Sequence, residues 1–172
     1  MIQSLGRCEI LLHGRIIPNE GWRDPKELEV LLALVTLGGQ QVPRSELAQL
    51  LWPKYGDDER VSKLYAALHR LQETLGRSEP TGSRLITVVG ARLSLNATSC
   101  WVDCWAFEEA VRQAQRLGVF GQMASAQDRL KEAKALYRGE YLPGCHGLAW
   151  VEAKRHALRR QRLWVERQSV GR

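Results

Sequence analysis

Residues 25 to 53 read PKELEVLLALVTLGGQQVPRSELAQLLWP, and the order of apolar, glycine and proline positions in that stretch decides the fold. Asp24 offers a side-chain oxygen to the amides of a helix start, Pro25 suits the first helical position, and Glu27 stands three residues after Asp24 as the second half of a capping box. Leu28, Leu31, Leu32, Val35 and Leu37 then recur at helical spacing until Gly38-Gly39 ends the run. A shorter helix follows, with Leu47, Leu50 and Leu51 on one side. Trp52 adds a large apolar anchor, and Pro53 forbids continuation.

Working outward, a third apolar helix is expected beyond a polar loop. Asp57 or Asp58 can cap it, Val61, Leu64, Leu68, Leu71 and Leu75 repeat at three and four residues, and Gly76 closes it. Leu85 to Val89 is rich in β-branched residues, Gly90 supplies a turn, and Arg92 to Leu95 alternates polar with apolar, the pattern of a hairpin. Upstream, Glu9 to Leu12 and Arg15 to Ile17 flank a tight turn at His13-Gly14. Hairpin, three helices, hairpin is the predicted order, and the first two helices with their glycine break form the scaffold of a helix-turn-helix.

On these residues the first half resembles the OmpR-type winged helix-turn-helix of bacterial transcription regulators. The matching pieces are PKELEVLLAL, VPRSELAQLLW, VSKLYAALHRLQETLG and, in the wing, GARL. The resemblance implies a third helix in the major groove of DNA and a wing that reaches the minor groove. If the leucine stripe of the third helix faces the core, Ser62, Lys63, Tyr65, Ala66, His69 and Arg70 lie on other faces and are the expected DNA-binding positions. Arg70 suits a guanine edge or a phosphate, Lys63 a phosphate, and Ser62, Tyr65 and His69 have hydrogen-bonding reach. Arg44, at the start of the second helix, is a candidate phosphate clamp, while Arg84 and Arg92 flank the wing and are candidates for the minor groove. Three positions depart from the family pattern. Gln72 stands where a second arginine is usual, the wing has no aromatic after its glycine, and Pro43 replaces the Ser or Thr cap of the second helix. Ser45, with a later helix start, is the expected substitute for that cap.

The charge of the chain argues less for DNA than its total suggests. The net charge is +6, yet residues 1–97 hold 12 Lys/Arg against 11 Asp/Glu, a net of +1, and residues 98–172 hold 13 against 8, a net of +5. Duplex binding must therefore rest on the placement of a few cations, with moderate and salt-sensitive affinity.

The second half is expected to be helical. WVDCWAFEE (101–109) starts a helix, and Ala126, Leu130, Ala133 and Leu136 or Tyr137 follow helical spacing. Gly139, Pro143, Gly144 and Gly147 mark a loop. Another helix begins near Ala149, with a stripe of Trp150, Ala153, Ala157, Gln161 and Trp164 and with Val151, Leu158 and Val165 beside it. Val102-Asp103 with Phe107, LYRGEYLPG (136–144), and Trp150-Val151-Glu152 with Arg155 resemble the bacterial transcriptional activator domain. That module is tetratricopeptide-like and is paired with such a winged helix in the Streptomyces antibiotic regulatory protein family. The expected fold is mainly α with small β-hairpins: a winged helix-turn-helix over residues 1–97, then the N-terminal part of a helical activator domain over 98–172. The resemblance implies a transcription activator that binds double-stranded promoter DNA and contacts RNA polymerase. In the family the helical module runs on through more helix pairs, so a fragment of a longer regulator or a short member is expected. An uncovered apolar face would then favour a homodimer.

The remaining features bound the function. No secretory signal is evident, and the longest apolar run, Val30 to Val35, is far short of the ~20 residues that cross a bilayer, so a cytoplasmic protein without a membrane partner is expected. Cys8, Cys100, Cys104 and Cys145 lack the paired spacing of a zinc site and read as packing thiols, and neither a metal nor a cofactor is expected. Cys145-His146 does not make a nucleophile and base, because adjacent residues rarely face each other. Arg155, Arg159, Arg160, Arg162 and Arg167 read first as a solvated helix face, with a grip on DNA as the alternative. Trp52 and Trp105 are expected core anchors. No phosphate loop or catalytic constellation stands out, so an enzyme is not expected. Two classes stay open: a sequence-specific DNA-binding activator, and a protein-interaction module whose winged helix has little DNA affinity.

Overall fold

A computed structural model describes residues 1–12, 14–76, 85–96 and 100–170, and the chain divides into two compact units. One holds Met1 and Ile10–Cys100; the other holds Ile2–Glu9 and Trp101–Arg172. Residues 2–9 thus fold with the second half of the chain, whereas the sequence pattern groups them with the first. The winged helix-turn-helix and the tetratricopeptide-like helical segment are both present.

The first strand, β1 (Ile2–Gln3), belongs to the second unit. The hairpin of β2 (Glu9–Leu12) and β3 (Arg15–Ile16), in register Leu11↔Ile16 and Leu12↔Arg15, belongs to the first unit from Ile10 onward. Of its expected turn, Gly14 takes φ +77° and His13 lies outside the described residues. After a 3-10 turn at Asn19–Gly21, helix α1 (Pro25–Thr36) starts where the sequence places it, with the Asp24 side chain accepting from the Lys26 amide at 2.9 Å. The helix stops at Gly38, whose φ of +88° is open to glycine, while the Leu37, Gly38 and Gly39 amides return to Ala33, Val35 and Leu34. Residues Val30 to Val35 are all buried, so α1 is the central helix of this unit.

Two more helices complete the scaffold. Helix α2 (Arg44–Leu51) buries Leu47, Ala48 and Leu51, with Trp52 at 8% exposure behind them. Helix α3 (Asp57–Gly76) buries Leu64, Leu68, Leu71 and Leu75, as the spacing predicts, together with Ala67 and Thr74, while Val61 is half-buried. Because α3 begins at Asp57, the acids Asp57, Asp58 and Glu59 all lie in its first turn and favour the helix dipole there. The second sheet has three strands in the order β4-β6-β5: β4 (Val42–Pro43), β5 (Ile86–Val89) and β6 (Arg92–Leu95). The short β4, inserted between α1 and α2, is a strand the sequence pattern does not announce.

Glu27 corrects the capping-box expectation. Its carboxylate is fully buried between α1 and α3, where Oε2 accepts from the Thr74 hydroxyl at 2.8 Å and Oε1 lies 3.8 Å from Arg70 Nε. Arg70 also donates to the Asp24 carboxylate at 3.2 Å, so one guanidinium serves both the residue that caps α1 and the buried carboxylate beside it.

The second unit is built on α4 (Asp103–Val119), α5 (Met123–Leu136) and α6 (Ala149–Val170). α4 and α5 pair across a three-residue connection, and α6 packs against both. Phe107 and Tyr137 meet edge to face at 5.2 Å. Trp105 is half-buried, not a core anchor, because the buried face of α4 is Asp103, Cys104, Phe107, Ala110, Val111 and Ala114. On α6 the buried residues are Trp150, Val151, Arg155, Leu158 and Val165; Ala153 is exposed and Ala157, Gln161 and Trp164 are half-buried, so beyond Trp150 the buried face is the one that Val151, Leu158 and Val165 mark. Arg155 is thus neither solvated nor free for DNA. At 6% exposure it donates to the carbonyls of Tyr141 and Leu142 and to Glu152.

Residues 2–9 join this unit through a buried carboxylate. Asp103 accepts from the Ser4 amide and hydroxyl, the Leu5 amide and the Cys104 amide, all within 3.0 Å. Bridges link Ile2 with Val102 and Leu5 with Tyr141. At the crossing, a Cβ on Gly139 would stand 2.7 Å from Gly6 Cα, too close for any side chain. The four cysteines are thiols outside any disulfide; burial pushes Cys104 up to about 12 and Cys8 up to about 11, so both stay neutral and unreactive at ordinary pH.

Two stability predictions follow from these buried carboxylates. Asp103→Ala leaves buried donors unsatisfied, and a loss of about 3 kcal/mol in urea unfolding is expected, with fast amide exchange at Ser4 and Leu5; exchange as slow as in the parent would show that the carboxylate does not hold the segment. Arg70→Ala strands Glu27, and because Arg70 is over a third exposed the expected cost is about 1–2 kcal/mol, below that of a fully buried pair. An unchanged unfolding midpoint would remove Arg70 from the scaffold.

Candidate nucleic-acid interface

The face that the sequence assigns to DNA is assembled at the junction of β4 and α2. Pro43 is the residue before the helix and has no side-chain hydrogen bond to offer, and α2 starts at Arg44, not later at Ser45. The first helical amide is satisfied from outside: Arg44 N donates to the carbonyl of Ala91 at 2.9 Å. Ala91 belongs to the two-residue turn Gly90-Ala91 between β5 and β6, and Pro43 pairs with Arg92 in the sheet. The wing is therefore hydrogen-bonded to the start of α2.

The side chain of Arg44 continues the connection to α3. Its Nη1 donates to the Tyr65 hydroxyl at 2.7 Å, and its guanidinium carbon lies 5.9 Å from the centre of the Tyr65 ring. Along α3, Ser62, Tyr65, Ala66 and His69 are exposed, as the leucine stripe implies. Residues 62, 66, 69 and 73 share one helical face at spacings of four, three and four. Arg92 is exposed on β6 and donates to the carbonyl of Gln41 at 2.8 Å. Gln41 itself takes φ +53°, and its amide is held by the Ser94 hydroxyl at 2.9 Å. The structure thus brings together Arg44, Tyr65 and Arg92, with Ser62, Ala66 and His69 exposed on the same helix as Tyr65.

Two expected readers are occupied within the protein. Arg70 is half-buried beside Asp24 and Glu27. Lys63 sits 3.5 Å from Glu59 and 4.3 Å from the centre of the Tyr55 ring. Arg84 lies outside the described residues. Sequence spacing did not single out Glu73, which is exposed next to His69 and pairs with Arg23 at 2.7 Å and with His69 at 3.8 Å. Nor did it mark Val88 and Val89, exposed on the wing at 43% and 70%. Periodicity identifies exposed positions on α3, but it carries no signal for a partner such as Arg23, 50 residues away.

The profile of the bacterial transcriptional activator domain matches residues 102–171. The solved structure of Mycobacterium tuberculosis EmbR in complex with a low affinity phosphopeptide is similar in fold, with a TM-score of 0.73 at 19% sequence identity. The likeness covers 95% of this chain, which spans 42% of the length of that one. No curated protein matches by sequence. Among the described residues no helix is long and apolar enough to cross a membrane. A winged helix-turn-helix thus precedes α4, α5 and α6 in the chain, and the match to the bacterial transcriptional activator domain falls on those three helices.

Proposed function

We propose that the protein is a sequence-specific transcription activator that lays α3 in the major groove of promoter DNA and brings the wing to the adjacent minor groove. The supporting observation is the junction at Arg44, which ties the wing, the start of α2 and the exposed side of α3 to one another. In this arrangement Ser62, Ala66 and His69 read base edges, while Arg44 and Arg92 hold phosphates on either side. The activator domain supplies contacts with RNA polymerase, and two copies on neighbouring half-sites would give the protein its operator spacing. Protected half-sites in a footprint of DNA flanking its own gene would give recognition and assembly together.

A second reading draws on the acids around α3. Lys63 and Arg70 are held by carboxylates and the first half of the chain is nearly neutral, which favours a protein-interaction module with little affinity for DNA. A salt titration separates the two. With Arg44 and Arg92 on phosphates, log K against log salt should fall with a slope of about −2. A slope near zero would favour the second reading. His69→Ala with Ser62→Ala should relax base preference at a cost of about 1–3 kcal/mol per lost contact, and Arg92→Ala should weaken every duplex alike and reduce the slope by about 1. Undiminished preference in the double variant would remove α3 from the reading face.

A further inference from the structure

We infer that Tyr65 is the positioning residue of the phosphate contact made by Arg44, and that the two act as one clamp; this rests on the duplex-binding reading above. Arg44 is anchored at both ends. Its backbone amide is fixed to Ala91 at 2.9 Å, and its guanidinium is fixed to the Tyr65 hydroxyl at 2.7 Å with the ring beside it. A free arginine loses much rotamer freedom when it meets a phosphate, and a guanidinium already held in place has less to lose.

The stereochemistry leaves the useful edge open. Tyr65 takes Nη1, so the edge formed by Nε and Nη2, which suits a two-pronged contact with a phosphate, has no hydrogen-bond partner among the described residues. The hydroxyl that accepts from Arg44 keeps its own hydrogen to donate. Tyr65 is 42% exposed, so the clamp lies at the surface, where a phosphate can reach the arginine that it holds.

The chemistry of the holder matters as much as its position. Lys63 and Arg70 are held by Glu59 and by Asp24 with Glu27, carboxylates that cancel the charge they orient. Arg44 is held by a neutral phenol, which orients the cation and leaves its full charge for the duplex. Arg92, on the carbonyl of Gln41, follows the same rule at the wing.

A double-mutant cycle on the full 172-residue chain tests the inference. Arg44→Ala, Tyr65→Phe and the double variant are titrated by fluorescence anisotropy against two labelled duplexes: the region upstream of the protein's own coding sequence, and a scramble of it. Tyr65→Phe should lower affinity by about three- to tenfold on both duplexes alike, because the lost hydrogen bond serves a charged group at a phosphate. Arg44→Ala should also reduce the salt slope by about 1, and the double variant should match Arg44→Ala alone. A merely structural tyrosine would lower the Arg44→Ala variant further and shift its unfolding midpoint. Independent, multiplying losses overturn the inference, as does a Tyr65→Phe variant with parental affinity or one that changes the preference between duplexes. A parent chain that binds neither duplex at low salt overturns the duplex-binding reading and this inference with it.

Discussion

The hydrogen bond from the Arg44 amide to the Ala91 carbonyl is the constraint on which the winged unit depends. A helix must satisfy its first amides, and most helices do so with a Ser, Thr, Asp or Asn immediately before them. Pro43 cannot. It can, however, extend as an edge strand, which places the next amide against the turn of the wing. The pairing of β4 with β6 thus stands in for the missing cap and holds the start of α2 to a turn some 50 residues further along the chain. Once Arg44 is fixed there, its side chain can reach Tyr65 on α3.

The helical unit solves a comparable problem with a buried carboxylate. Asp103 stands at the start of α4 and gathers Ser4 and Leu5, which brings residues 2–9 alongside Tyr141. This antiparallel approach requires Gly139 to lack a side chain. Beyond it Leu142 takes a positive φ of 46°, and its carbonyl and that of Tyr141 both accept from Arg155. The stretch LYRGEYLPG therefore has a physical reason for its glycine and for its pairing with an arginine on α6. A charged side chain is at home here because its donors meet two carbonyls and the Glu152 carboxylate.

What the sequence makes legible divides along the same lines. Local rules located α1, α2, α3 and both strands of the wing hairpin, because caps, glycine stops and leucine spacing act within a turn or two of where they are read. They failed where a long-range partner competed. Glu27 fits the capping box, yet Thr74 and Arg70 hold it in the core; Arg155 looks like one more exposed arginine, yet two carbonyls 13 and 14 residues away bury it. The stripe on α6 was misplaced for a related reason. Apolar spacing favours Ala153 and Ala157 over an arginine, although hydrogen bonding makes Arg155 part of the core. At the candidate interface, exposure on α3 was legible from the leucines, but the division of its cations into held and available ones was not.

That division bears on how a nearly neutral unit could select one DNA sequence. Each phosphate contact raises affinity for every sequence alike, so a face crowded with free cations binds widely before it binds well. Here Asp24 and Glu59 sit beside Arg70 and Lys63 of α3, Glu73 pairs with Arg23, and together they withhold part of that general attraction. A phosphate approaching Arg70 or Lys63 must displace a carboxylate and then lies close to it, a cost incurred on every duplex. Base contacts from Ser62 or His69 offset that cost only on the right one. In the proposed complex the carboxylates around α3 therefore lower affinity for every duplex alike and leave discrimination to the base contacts, while the cations held by neutral groups, Arg44 and Arg92, carry the attraction that remains.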